Sequence, residues 1–90
     1  MRILVINWQD ISHPLSGGAE VHLFEIFARI VQRGHQVVLF SCGYEGAKRY
    51  EVIQGIQVYR KGARDTFNFF VPGAYRSLHR KYRFDIVVED

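Results

Sequence analysis

Disulfides are excluded at the outset. The chain holds one cysteine, Cys42, which has no internal partner and no second ligand at metal-binding spacing, so it reads as a reduced thiol at the end of a strand. Long apolar runs are missing as well: nothing approaches the roughly 18 residues that cross a bilayer. The opening stretch MRILVINWQD meets an acid directly after its apolar residues and carries no cleavage pattern of a secretory signal. A cytoplasmic location is therefore expected. His22, His35 and His79 share no ligand spacing with one another or with Cys42, and no metal is expected. Repeats, low-complexity tracts and interdomain linkers are absent too.

Acidic residues are scarce in one stretch only. Residues 60–83 hold seven Lys/Arg against one acid, whereas residues 1–59 are balanced at five of each and residues 84–90 carry three acids and no base. The net charge of +3 is thus concentrated in a single segment. What remains is ordinary: at 48% hydrophobic and 23% charged the chain is too apolar for a disordered segment. Ninety residues make at most one small domain, which buries only about 60% of the surface of its unfolded form.

RILVIN (Arg2 to Asn7) is a continuous apolar run rich in β-branched residues, the pattern of a strand covered on both faces. From Ala19 to Arg33 the residues Leu23, Ile26, Phe27, Ile30 and Val31 recur at helical spacing, and Gly34 supplies the left-handed residue that ends a helix. QVVLFSC (Gln36 to Cys42) is a second buried strand, so these pieces form one βαβ unit with adjacent parallel strands. GYEGAKRY is a loop, and YEVIQGIQVYRKG is either a strand pair or one strand bulged at Gly55. Pro72 suits a helical first turn and opens a second helix running to Tyr82, after which FDIVVED reads as a further buried strand. The order predicts an α/β fold, a Rossmann-like parallel sheet with flanking helices. The sequence stops on its last strand, which leaves a sheet edge open for self-association and is expected of one part of a longer chain.

The glycine pair in LSGGAE (Leu15 to Glu20) ends a loop of eleven residues, longer than the two to six usual between a strand and the next helix. In open α/β sheets ligands bind beyond the carboxyl ends of the strands, where such loops lead into helix N-termini. Gly17 and Gly18 let the backbone approach a ligand closely, and the first amides of the helix lack intrahelical acceptors, which together make an anion cradle. Equally, two glycines can simply make the turn, with Ser16 as the helix cap. Neither the dinucleotide fingerprint G-x-G-x-x-G nor the P-loop pattern is present.

Taken together, the MRILVIN strand, the SGGAE loop end, the helix closing at RGHQVVLFS and the later YRFDIVVED strand resemble the start of a GT-B glycosyltransferase of the retaining group that includes glycosyltransferase family 4. The resemblance implies an incomplete half of the N-terminal, acceptor-side domain of a two-domain enzyme, the C-terminal donor-binding domain being absent. It further implies sugar transfer from a nucleotide-sugar to a glycan or lipid acceptor, with retention and without a metal. Carried over by position, Gly17 and Gly18 lie near the donor phosphates with Glu20 beside them. A carboxylate in a first helical turn is favoured by the helix dipole whatever it binds, and aimed at a diphosphate it would be repelled. Asp10, Ser12 and His13 on the same loop are acceptor-side candidates, as are Glu89 and Asp90, which stand where many members of the group carry a histidine pair. No catalytic residue is assigned, and these 90 residues alone are expected to be inactive. A non-catalytic module binding a small anion or a membrane is the competing class.

In the basic segment, Arg60, Lys61, Arg64, Arg76, Arg80, Lys81 and Arg83 alternate with Phe and Tyr. The plain reading is a solvated helix face. The functional one is peripheral contact with an anionic membrane through Arg76, Arg80, Lys81 and Arg83. No recognition motif accompanies the patch, so nucleic acid is not an expected partner. FNFF (Phe67 to Phe70) is read as core rather than as an exposed patch.

Overall fold

The computed structural model describes residues 1–89; Asp90, named above as an acceptor-side candidate, lies outside the described residues. Five strands and two helices follow one another as β1 (Arg2–Ile6), α1 (Gly18–Gln32), β2 (Gln36–Ser41), β3 (Tyr50–Ile53), β4 (Ile56–Arg60), α2 (Phe67–Tyr82) and β5 (Ile86–Glu89). They build one sheet in the order β3-β4-β2-β1-β5. All neighbours are parallel except β3 and β4, which form an antiparallel hairpin. The predicted βαβ unit is present, with Arg2 to Ile6 in register with Gln36 to Phe40.

The sheet is covered by one helix on each face, which explains why β1 and β2 read as unbroken apolar runs. Ile3, Val5, Val37, Leu39, Ile56 and Val58 pack with Leu23 and Phe24 of α1. Leu4, Ile6, Val38, Phe40 and Cys42 pack on the other face with Phe67, Leu78 and Tyr82 of α2 and with Phe84 beyond it. Because successive strand residues alternate in direction, each interior strand supplies both cores. Gly34, at φ 94°, follows the Arg33 C-cap of α1 as expected.

Four expectations are settled or corrected. The Gly55 segment is a strand pair: Gln54 and Gly55, at φ 53° and 82°, form the two-residue left-handed turn that suits the twist of a tight hairpin. α2 begins at Phe67, not at Pro72, which sits inside the helix. The reason is the apolar stripe, which starts at Phe67 and runs through Phe70, Val71, Ala74, Leu78 and Tyr82; burying it outweighs the one main-chain bond the proline cannot donate. FNFF divides accordingly, Phe67 into the core, Phe70 packed against it, and Phe69 outward at 84% exposed. Among the described residues β5 lies at the edge of the sheet, with Ile86 and Val87 exposed, because only β1 pairs with it.

Tyr82 gives this core a pH dependence. Its hydroxyl lies 2.5 Å from that of Tyr59. Burial, then the bond to Tyr59, raises its ionisation well above the usual tyrosine range. The folded state therefore keeps the phenolic proton to higher pH than the unfolded chain, whose tyrosine titrates near pH ~10. Stability from this group is full below that value and falls as the pH rises above it. Tyr82→Phe is expected to cost about 1 kcal/mol at neutral pH and to flatten the decline above pH ~10, read from urea midpoints across pH; an unchanged alkaline slope would refute the assignment.

Candidate functional site

The carboxyl ends of β1, β2, β4 and β5 lie at one edge of the sheet, and the loop from Asn7 to Gly17 leaves from there. Polar bonds fold this loop. The Asn7 amide donates to Gln9 O at 2.8 Å, the Ser12 N–H to Asp10 Oδ1 at 2.7 Å, and the Leu15 N–H to His13 Nδ1 at 3.0 Å. Main-chain turns continue the series, from His13 N–H to Asp10 O and from Ser16 N–H to His13 O. Asn7, Gln9, Asp10 and His13 are all buried. Buried polar groups are affordable only when bonded, and here each has its partner.

At the centre is an ion pair between the loop and β4. Arg60 donates through Nε to Asp10 Oδ2 at 2.7 Å and through Nη2 to Asp10 Oδ1 at 3.1 Å, a two-pronged fork. Its Nη1 donates to Glu51 Oε2 at 2.6 Å and to Lys48 O at 3.0 Å, while Ser41 Oγ donates to Asp10 Oδ2 at 3.3 Å. The two side chains are essentially sealed from solvent, at 1% and 0% exposed. Burial by itself would make the guanidinium easier to deprotonate; the bonds to Asp10 and Glu51 outweigh it and hold the proton more tightly than usual.

This placement changes the reading of two residues. Arg60 is not part of a solvated basic face, to which Arg76, Arg80, Lys81 and Arg83 do contribute exposed charge. The alternation of β4 carries the signal: Ile56, Val58 and Arg60 alternate with half-buried Gln57 and Tyr59, so Arg60 points to the same interior as the two aliphatics. Asp10 has its whole carboxylate engaged inside the protein. Ser12 is exposed beside it, and the His13 ring stands edge-on to Tyr44 at 5.3 Å.

The glycine pair sits at the exposed end of the loop. Gly17 is the N-cap of α1 with extended backbone (φ −142°), and Gly18 is the first helical residue. Ser16 is not the cap; its hydroxyl donates to Ile11 O at 2.9 Å. A Cβ added at either glycine would meet nothing within 4 Å. The turn thus requires a glycine at neither position. Glu20 reaches back, its Oε1 accepting the Gly17 N–H at 2.9 Å. With its amide nitrogen facing acceptors, Gln9 donates to the same carboxylate at 3.3 Å. The N–H groups of Gly18 and Ala19 have no acceptor among the described residues.

A cleft of about 330 Å³ opens near the ends of β1 and β5, lined by Ile6, Trp8, Arg64, Phe67, Asn68, Val71 and Glu89. Glu89 is therefore in a concave site, whereas Asp10 is not. Trp8 was not singled out by the sequence and Arg64 only as part of the basic segment, yet the guanidinium lies 4.3 Å above the indole ring at the cleft wall. An exposed tryptophan directly after a buried strand was the available clue. The cleft continues into a more apolar groove of about 750 Å³ beside α2 that shares Ile6, Val71 and Glu89 and adds Tyr75, Arg76 and Arg80.

Comparison with known proteins adds one match. The family model described as Glycosyltransferase Family 4 matches residues 16–89, from the loop end through the last strand. No curated protein and no solved structure matches the chain. The match takes in the glycine pair, both helices and four of the five strands of the α/β sheet, and the chain belongs to glycosyltransferase family 4.

Proposed function

We propose that this chain is the acceptor-side part of a retaining GT-B glycosyltransferase, whose loop end approaches the diphosphate of a nucleotide-sugar donor. The donor's base and ribose fall to a second Rossmann-like domain outside this sequence. One observation carries the reading: Gly17 and Gly18 lie open at a helix N-terminus, with backbone angles and surroundings that any residue would tolerate. Glycines that the fold does not need fit a ligand that needs the space they leave.

The chemistry follows from the amides. Gly18 and Ala19 offer N–H groups at the positive end of α1, suited to phosphate oxygens. As the sugar–phosphate bond breaks, charge grows on the departing diphosphate, and donors fixed in advance stabilise that charge without reorganising. Glu20 holds the Gly17 N–H and must release it for a third contact, an exchange of one anion for another. The cleft of Trp8, Arg64, Asn68 and Glu89 is the acceptor wall, with Glu89 accepting from sugar hydroxyls.

The test is calorimetric titration of the complete protein with nucleosides, nucleoside diphosphates and nucleotide-sugars. The expected result is binding that requires the diphosphate, with slow release of nucleoside diphosphate when acceptor is added and an unchanged anomeric configuration in the product. Absence of binding by every one of these compounds would sink the reading.

A further inference from the structure

Buried ion pairs are poor sources of stability. The desolvation of both charges offsets most of their attraction, and apolar residues of equal volume often serve the fold as well. An arginine and an aspartate sealed together in a 90-residue domain therefore call for a role other than stability. Their location supplies one: Asp10 lies near the start of the loop that ends in Gly17 and Gly18, and Arg60 is the last residue of β4, fifty positions later.

We infer that Arg60 is a positioning residue for the glycine loop, fixing the main chain of residues 7–17 so that the first amides of α1 face the donor phosphates. This rests on the donor reading given above and adds to it a residue that touches no substrate. The connection can be followed bond by bond. Arg60 grips both oxygens of Asp10; Asp10 receives the N–H of Ser12 on its side chain and that of His13 on its main chain. His13 in turn receives the N–H groups of Leu15 and Ser16, and Ser16 adjoins the N-cap. On its other side the guanidinium holds Glu51 of β3 and the Lys48 carbonyl, so the loop is referenced to β4, β3 and the segment before it together. Apolar packing holds the loop at one point only: Ile11 packs against the core beside α1, while Trp8 and Leu15 are exposed. Lysine could not replace the arginine, since a single ammonium lacks the planar fork that meets both carboxylate oxygens while still reaching Glu51.

The experiment uses the complete protein and a double variant, Asp10→Asn with Arg60→Met, which removes both buried charges and so avoids the penalty of leaving one unpaired. Two measurements are made on it and on wild type: amide hydrogen exchange resolved to the loop and to the sheet, and affinity for a nucleoside diphosphate. The expected result is a sheet protected as in wild type, faster exchange across residues 9–17, and affinity lower by about 100-fold, the scale of losing one to two hydrogen bonds to a charged group. The KM for acceptor stays unchanged. Arg60→Lys, measured in parallel, gives an intermediate loss. Loop exchange and affinity equal to wild type in the folded double variant would overturn the inference while leaving the donor reading intact. If wild type itself binds no diphosphate, the donor reading fails, and the positioning role falls with it whatever the exchange shows.

Discussion

Arg60→Ala is expected to lower the stability of the domain by about 3–5 kcal/mol, the range found when one partner of a buried ion pair is removed. Asp10 is the reason. Its carboxylate is 0% exposed, and without the guanidinium it keeps only the Ser12 N–H and the long bond from Ser41. Glu51 fares better, because it reaches solvent at 30% exposure. Small domains have roughly 5–15 kcal/mol in total, so this loss takes a large share of it. The same substitution at Arg76 or Arg80, exposed on α2, should stay within about 0.5 kcal/mol. Urea denaturation decides the matter: the midpoint of Arg60→Ala falls steeply at an unchanged slope, and a shift no larger than that of Arg76→Ala would show the pair to be energetically idle. Asp10→Asn with Arg60→Met should recover most of the loss, which separates the pair's small net contribution from the large penalty of breaking it.

How much of this was legible beforehand depended on whether neighbours or distant residues decide the outcome. β1, α1 and β2 were readable because an unbroken apolar run and a 3.6-residue stripe each report directly on burial. The start of α2 differs from the expected one because Pro72 is a strong local signal for a first turn, while what overrides it, Phe67 meeting Phe40 at 5.1 Å across the core, is tertiary. β5 has the composition of a covered strand, but cover depends on what lies beside it, and among the described residues only β1 does. The pairing of Asp10 with Arg60 spans fifty residues and leaves no trace in local spacing. Only the alternation in IQVYR pointed to it, and the basic residues that follow Arg60 masked that pattern. For the glycine pair, sequence could not separate a turn from a cradle. The backbone angles and the open space show that the fold itself requires glycine at neither position, which is the ground on which the cradle is proposed.

Substitution at the glycine pair should divide stability from binding more sharply than any other change in the chain. Gly18→Ala places a methyl group in a helical first turn where a Cβ meets nothing within 4 Å, and it is expected to raise stability by about 0.5–1 kcal/mol. Gly17→Ser supplies a hydroxyl cap at an extended residue and should be neutral or mildly stabilising. Together they project side chains from the amides assigned to the donor phosphates, and affinity for a nucleoside diphosphate should fall by about 100-fold or more, since two hydrogen bonds to a charged group are lost at once. Gly55 and Gly62 provide the converse. At φ 82° and 77°, a Cβ there would lie 2.8 Å from Val31 Cγ1 and 2.6 Å from Phe70 Cδ2, so alanine at either is strained and should destabilise by more than about 1 kcal/mol. Neither lines the cleft of Trp8, Arg64 and Glu89, and in the folded fraction their variants should bind as wild type does. Thermal unfolding and calorimetry on the four variants give a crossed pattern if the fold needs one pair of glycines and the ligand the other. Should the Gly17→Ser, Gly18→Ala protein be stable and bind undiminished, the helix N-terminus holds no phosphate, and the donor must be bound without this loop.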